Sequence, residues 1–150
     1  VQGMRPLMSY NYGAKLKERM HQILKVSGLV IAAILGAGTL LFFIVPNVLL
    51  SLFNANSGML EIGETGLRIL SLSFIVSSFG VLMSGVFEAL GLGKYSLIVS
   101  LLRQLLITVP LAYILLNVMG IEGIWLSFVI AEAIASIVAY ILYRKKFKTI

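Results

Sequence analysis

Residues 26–45 read VSGLVIAAILGAGTLLFFIV, and this uninterrupted apolar stretch decides the fold class. A helix of about 20 apolar residues is long enough to cross the hydrocarbon core of a bilayer. Three further stretches of the same character follow, at 67–90, 96–118 and 121–143. Their apolar runs are continuous rather than alternating, which favours helices over barrel strands. The sequence therefore predicts an all-α, polytopic integral membrane helix bundle with four transmembrane helices.

The composition of the 150 residues supports the same fold class. Hydrophobic residues make up 59% and charged residues 12%, whereas a soluble domain is roughly 25% charged. The chain has no Cys and a single His, His21, so disulfides, thiolate chemistry and a metal site built on several His or Cys ligands are excluded. Phosphate-binding and nucleophile motifs are absent from the sequence. We therefore expect a membrane protein that is not an enzyme and uses no metal or cofactor.

The charged residues predict how the bundle is oriented. Basic residues cluster before the first span, between the second and third spans, and after the fourth, at Lys15, Lys17, Arg19, Lys25, Lys94, Arg144, Lys145, Lys146 and Lys148. Four antiparallel crossings place them all on one side and leave Glu61, Glu64 and Glu122 on the other. The positive-inside rule makes the basic side cytoplasmic. We expect residues 1–25 to be a cytoplasmic, amphipathic lead-in after a preceding helix, residues 144–150 to be a basic cytoplasmic tail, and the net charge of +6 to reflect topology rather than nucleic-acid binding.

Small and polar side chains recur at helical spacing inside the spans. Small residues form two rows, Gly28, Ala32 and Gly36 in the first span and Ser127, Ala131, Ala135 and Ala139 in the fourth, and such rows predict helix-packing faces. Polar residues form rows that include Ser73, Ser77 and Ser84 in the second span and Ser96 and Gln104 in the third. Two interpretations of the polar rows stay open. They line a solute pathway, or they make interhelical hydrogen bonds worth ~0.6–1 kcal/mol each.

Two ionisable residues lie deep in the predicted spans. At 1.5 Å per helical residue, Glu132 is ~16 Å and Arg103 ~12 Å from the basic side. Glu132 is a candidate for taking up a proton or cation, or it pairs with Arg103 in a structural ion pair, or the two are arranged otherwise. Nearer the basic side, Glu88 is predicted to be a helix-end charge or a partner of the loop at Lys94. Pro110 predicts a kink in the third span.

Several motifs occur along the chain in a characteristic order. They are Gln2-Gly3-Met4-Arg5-Pro6, the run Tyr10-Asn11-Tyr12-Gly13-Ala14-Lys15 with Arg19, Phe87-Glu88-Ala89-Leu90-Gly91, Arg103-Gln104 followed by Pro110, Gly120-x-x-Gly123-x-Trp125, and Ala131-Glu132. Taken together, these motifs resemble the multidrug and toxic compound extrusion (MATE) transporters. The resemblance covers essentially the whole chain. It implies that the four spans correspond to helices nine to twelve of a twelve-helix transporter, in its C-terminal lobe.

The resemblance also implies a function. Such a chain would be part of a secondary active antiporter of the cell membrane, which exports cationic or amphipathic compounds in exchange for Na⁺ or H⁺ by alternating access. Its partners would be membrane lipid, the remaining helices of the transporter and the exported compounds. Some members carry an acidic cation ligand in the middle of helix ten, where this chain has Ser73, Ser77 and Ser78 and no carboxylate. The coupling ion, the substrate and the oligomeric state therefore stay open.

Two other functions are compatible with the sequence. A lipid-linked oligosaccharide flippase of the same superfamily would need a more cationic cavity than one Arg in these spans provides. A self-contained four-helix membrane protein, either a small dimeric drug transporter or a structural subunit, is the second alternative. The small-transporter form requires a Glu in its first helix, and residues 26–45 contain none.

Overall fold

The computed structural model describes residues 1–53 and 56–147, and all of its regular structure in those ranges is helical. The helices are α1 (Met4–Gly13), α2 (Lys17–Ile44), α3 (Pro46–Ser51), α4 (Ser57–Ala89), α5 (Gly93–Leu101), α6 (Thr108–Met119) and α7 (Ile121–Phe147), with a π-helical turn, Leu102–Leu106, between α5 and α6. Four helical segments are long and apolar enough to cross a membrane: α2, α4, the continuous segment Gly93–Met119, and Ile121–Lys146 of α7. A helix satisfies most of its backbone hydrogen bonds internally, which the bilayer core requires.

The helices extend beyond the apolar stretches that predict them. α2 begins at Lys17 rather than Val26, so much of the expected lead-in is helical, and α1 precedes it. α7 continues to Phe147, so part of the expected basic tail is helical, while the tail residues 148–150, including Lys148, lie outside the described residues. Water and headgroups tolerate polar side chains on a helix that has already left the hydrocarbon.

The connection between the first two spans is shorter than the sequence indicates. α3 occupies its first part, and α4 begins at Ser57 rather than near residue 67. Asn56 caps α4, because its side-chain oxygen accepts a 2.9 Å hydrogen bond from the Met59 amide. The predicted loop residues 54 and 55 lie outside the described residues.

α4 is the central helix and packs against α1, α2, α3, α5 and α7. The small-residue row of α7 forms a packing face, since Ser127, Ala131, Ala135 and Ala139 are all buried. The predicted row of α2 meets another helix of the described chain only at its start. Gly28 lies against Leu82, but Ala32 is exposed and no heavy atom of another segment is near the Cβ position of Gly36. Only the first turn of that row meets a neighbouring helix within the described chain.

The charged groups collect at the two ends of the bundle. At one end, here called the basic end, Arg5 contacts Glu88 and the Lys146 ammonium lies over the Tyr95 ring. At the opposite end, here called the acidic end, Glu61 and Glu122 line a common pocket. The main hydrophobic core lies toward the basic end, where Met4 and Met8 of α1 pack with buried residues of α4 that include Phe87. α1 is therefore docked on the basic end of α4 by apolar contacts as well as by charge.

Candidate functional site

The structure brings Arg103 and Glu132 close together, which is one of the arrangements that the sequence left open. Arg103, on the π-helical turn, and Glu132, near the middle of α7, approach to 3.6 Å between Nε and Oε1. Their side chains are 24% and 18% exposed, so the pair is mostly buried. The separation exceeds the ~2.7–3.2 Å of an N–H···O hydrogen bond. Within the described chain, Arg103 Nε and Glu132 Oε2 are buried without a hydrogen-bond partner.

The backbone that carries Arg103 departs from the α-helix. The Ile107 amide donates to the Leu102 carbonyl at 3.0 Å, five residues back, and the Thr108 hydroxyl donates to the carbonyl of Arg103. Pro110 has no amide hydrogen and cannot donate to the carbonyl four residues before it. That carbonyl belongs to Leu106, the last residue of the π-helical turn, so the irregular backbone ends where Pro110 leaves a carbonyl without its helical partner. Such π-helical turns inside helices are frequently found at functional sites.

The serines predicted to line a pathway differ in the hydrogen bonds that they make. Ser73 and Ser77 turn their hydroxyls onto the carbonyls of Leu70 and Phe74 in their own helix, at 2.6 and 3.0 Å. Gln104 is exposed beside Arg103 on the π-helical turn. A cavity lined by these side chains stays a prediction.

Ser84 belongs to a different cluster, at the basic end. Its hydroxyl lies 2.6 Å from that of Ser96 at the start of α5, and Ser96 donates to Glu88 Oε1 at 2.8 Å. Glu88 Oε2 in turn lies 2.5 Å from Nη2 of Arg5 in α1. The charged partner of Glu88 is thus Arg5 rather than the loop at Lys94. The cluster joins three helices through one carboxylate.

Other polar side chains join the spanning helices in pairs. Thr39 of α2 donates to the Ser71 carbonyl at 2.9 Å, and Ser136 of α7 donates to the Val76 carbonyl at 3.0 Å. The sequence interpretation did not single out Thr39 or Ser136, because an isolated hydroxyl in an apolar run gives no spacing signal. These contacts are of the interhelical kind that was one of the two interpretations of the polar rows. Among residues 1–53 and 56–147, no three His, Asp or Glu side chains form a group that could hold a metal ion.

A comparison with protein-family models gives one decisive match. The MatE family model matches residues 1–114. The chain belongs to the MatE family. This confirms the recognition made from the ordered motifs of the sequence, and the apolar helices of this MatE chain are those of a multi-pass membrane protein.

Curated relatives of this MatE chain are named as multidrug export proteins. Multidrug export protein MepA of Staphylococcus saprophyticus is 26% identical over 141 residues, which are 94% of this chain and 31% of the relative. Multidrug export protein MepA of Staphylococcus aureus (strain N315) is 26% identical over the same shares of the two chains. The chain therefore spans about a third of the length of the curated relatives it matches.

Solved structures confirm the fold class. The MATE multidrug transporter DinF-BH is 30% identical, with a TM-score of 0.85 over 95% of this chain and 32% of that one. An inward-facing multidrug resistance MATE family transporter of the MOP superfamily gives a TM-score of 0.90 at 22% identity, covering 97% of this chain and 34% of that one. An outward-facing one gives 0.89 at 23% identity, covering 97% and 33%. The MatE chain thus has the helix arrangement of part of such transporters.

Proposed function

We propose that this MatE chain is part of a secondary active multidrug efflux antiporter, which exports cationic or amphipathic compounds in exchange for Na⁺ or H⁺ by alternating access. Family membership and the multidrug-export relatives support the class of transporter. The observation that carries the coupling role is the Arg103–Glu132 pair, a charge pair held mostly buried among helices that span the membrane. Ionisable side chains at such depth are rare and costly, and those that are kept commonly mark functional sites.

The geometry of the pair fits ion coupling. One carboxylate oxygen of Glu132 has no hydrogen-bond partner in the described chain and remains able to accept a proton or coordinate a small cation. Arg103 is the competing positive charge, so an arriving ion and the guanidinium act on the same carboxylate. An ion drives a conformational change only if it binds the two states unequally. The proposed role of the irregular turn is to let Arg103 change its distance to Glu132 between those states.

The charge distribution supports an orientation in the cell membrane. Most Lys and Arg residues collect at the basic end, whereas Glu61, Glu64 and Glu122 lie at the acidic end with Arg68 beside Glu64. By the positive-inside rule this distribution supports a cytoplasmic basic end, with both termini of this segment on that side. The proposed partners are membrane lipid and the remaining helices of the transporter. Large apolar side chains such as Leu29 and Ile34 of α2 are 66% and 65% exposed in this unit and require one or the other around them. In this proposal Ser73, Ser77, Ser84 and Gln104 face the pathway in at least one state.

Gradient-driven dye efflux by the full-length transporter in inside-out vesicles tests the proposal. Wild-type protein should transport a fluorescent cationic dye when an H⁺ or Na⁺ gradient is imposed, and the effective gradient identifies the coupling ion. Glu132→Gln should slow the coupled flux by at least about tenfold, because the deep carboxylate is lost. Glu122→Gln removes an exposed carboxylate at the acidic end and is the matched control, which should stay close to wild type.

Two results would contradict the proposal. Wild-type rates from Glu132→Gln across a pH series and a Na⁺ series would remove this carboxylate from coupling. Absence of dye flux by the wild-type protein under both the H⁺ and the Na⁺ gradient would contradict the antiporter and favour a flippase or a structural subunit.

A further inference from the structure

The Arg103 carbonyl accepts from a side chain in place of its usual helical donor. In a regular α-helix it would accept from the Ile107 amide, four residues further on. That amide instead donates to the Leu102 carbonyl at 3.0 Å, and the Thr108 hydroxyl donates to the Arg103 carbonyl. Thr108 therefore replaces the hydrogen bond that the π-helical turn removes from the residue whose side chain meets Glu132.

The Thr108 hydroxyl reaches farther back along the chain than the other described hydroxyls that bond within their own helix. Ser77 and Thr39, for example, bond to carbonyls three and four residues back, at 3.0 and 2.9 Å, which is the ordinary pattern for a hydroxyl in an α-helix. Thr108 reaches five residues back and is only 5% exposed, so water does not compete for it. Its bond thus fits the π-helical turn and helps to hold that turn in place.

The turn has a second hydrogen-bond pattern within reach. If the Ile107 amide returned to the Arg103 carbonyl, the Thr108 hydroxyl would be released and the segment would become α-helical. The two patterns differ by one residue in register, which is about 100° of rotation at 3.6 residues per turn. Pro110 leaves the Leu106 carbonyl without its α-helical donor in both patterns, so fewer hydrogen bonds have to change.

We propose that Thr108 is a positioning residue for the Arg103–Glu132 pair. While its hydroxyl bonds to the Arg103 carbonyl, the π-helical turn holds Arg103 Nε 3.6 Å from Glu132 Oε1. Release of the hydroxyl lets the turn become α-helical, and Arg103 then moves relative to the carboxylate because it is part of the turn. The consequence for transport rests on the proposed function, in which an ion and the guanidinium compete for Glu132.

A double-mutant cycle measures how firmly Thr108 positions the pair. Arg103→Gln, Glu132→Gln and the double variant of the full-length transporter are unfolded with SDS in mixed micelles, with Thr108 intact and again in Thr108→Val. With Thr108 intact, the pair should show a coupling of roughly fivefold or more in the unfolding equilibrium constant, because residues in contact are not additive. Thr108→Val keeps the branched shape but removes the hydroxyl, and it should bring the coupling to within about twofold of additivity.

Two further variants separate positioning from general stability. Thr108→Ser keeps a hydroxyl at the same position and should retain most of the coupling. Thr39→Val is the matched control, because Thr39 is also buried, at 6% exposed, and its hydroxyl lies 2.9 Å from both the Leu35 and the Ser71 carbonyl oxygens, away from the π-helical turn. It should lower stability without changing the coupling of the pair.

Three results of these cycles would overturn the inference. An unchanged coupling in Thr108→Val would show that the hydroxyl does not position Arg103. An equal loss of coupling in Thr39→Val would show general loosening of the bundle. Additivity with Thr108 intact would show that Arg103 and Glu132 do not interact.

Dye efflux under the effective ion gradient separates a failure of this inference from a failure of the proposed function. Thr108→Val should slow the coupled flux by roughly fivefold or more, the lower limit of typical coupling between two ligands, and Thr108→Ser should stay close to wild type. Wild-type flux in Glu132→Gln would refute the proposed function, while a loss of coupling in the Thr108→Val cycle would still establish the positioning. Wild-type flux in Thr108→Val beside slow flux in Glu132→Gln would contradict this inference alone.

Discussion

Removing the Glu88 carboxylate should weaken the attachment of both α1 and α5 to the basic end of α4. Glu88 accepts from the Ser96 hydroxyl at 2.8 Å and meets the Arg5 guanidinium at 2.5 Å. Glu88→Ala removes both contacts. Glu88→Gln keeps an acceptor for Ser96 but removes the charge, so the two substitutions separate the hydrogen bond from the ion pair.

The Ser96 and Arg5 contacts of Glu88 contribute unequally to the free energy of unfolding. The side chains of Arg5 and Glu88 are 42% and 35% exposed, so solvent screens their attraction and the pair is worth only ~0–1 kcal/mol. Ser96 is 5% exposed, and a hydrogen bond from a buried hydroxyl to a charged acceptor is worth ~1.5–3 kcal/mol. Ser84 stays as a partner for Ser96 at 2.6 Å, which favours the lower part of that range. We expect a loss of about 2 kcal/mol for Glu88→Ala and less than about 1 kcal/mol for Glu88→Gln and for Arg5→Ala.

Unfolding of the full-length transporter by SDS in mixed micelles measures these differences. Amide hydrogen exchange in residues 4–13 reports the Arg5 contact and should accelerate slightly in all three variants, whereas exchange in α5 around Ser96 should accelerate most in Glu88→Ala. A double-mutant cycle of Arg5→Ala and Glu88→Ala isolates the ion pair and should give a coupling energy of ~0–1 kcal/mol.

Two outcomes would refute this reasoning. If Glu88→Gln were as damaging as Glu88→Ala, the charge rather than the Ser96 hydrogen bond would hold the cluster together. If exchange in α1 were unchanged in every variant, the apolar contacts of Met4 and Met8 alone would dock the helix.

Two further predictions concern contacts between the spanning helices. Gly66→Ala would place a Cβ 2.8 Å from the Trp125 ring and should cost ~1–3 kcal/mol in the same SDS assay. Gly36→Ala, with no neighbouring heavy atom within 4 Å of its Cβ, is the matched control and should be neutral or stabilising by up to ~1 kcal/mol; equal effects would contradict the packing. Ser136→Ala removes the hydrogen bond to the Val76 carbonyl and should cost about 0.6 kcal/mol, and a loss above ~2 kcal/mol would indicate a larger role for that hydroxyl.

The fold could be predicted from the sequence because lipid imposes a simple requirement. A continuous apolar run such as residues 26–45 has one way to satisfy its backbone in a bilayer, so the four spans follow from hydropathy. The helix ends could not be found in the same way. The polar first turns of α2, at Lys17, and of α4, after its Asn56 cap, are two examples. Outside the hydrocarbon a helix needs no apolar residues, so hydropathy does not show where it begins or ends.

Some contacts of the candidate site could likewise be predicted from the sequence, and others could not. Arg103 and Glu132 could be expected near each other, because a rise of 1.5 Å per residue puts them at similar depth in adjacent antiparallel helices. The Arg5–Glu88 contact could not be predicted, because the partners lie far apart in the sequence and meet only after α1 docks on α4. The π-helical turn depends on how Thr108 satisfies the Arg103 carbonyl, which is a local choice of hydrogen bonds that hydropathy does not contain.

The free energy available at the Arg103–Glu132 pair is of the size that coupling needs. A buried polar atom without a hydrogen-bond partner costs ~1–3 kcal/mol, and Glu132 Oε2 is such an atom in the described chain. A proton or cation that supplies the missing partner in one conformation only would favour that conformation by a similar amount. Since 1.4 kcal/mol is a factor of ten, the shift is about fivefold to 150-fold, which matches typical coupling between two ligands. The proposed antiporter would thus need only one carboxylate with an oxygen that lacks a hydrogen-bond partner in this unit. The surrounding helices would have to be rigid enough to exclude water from it.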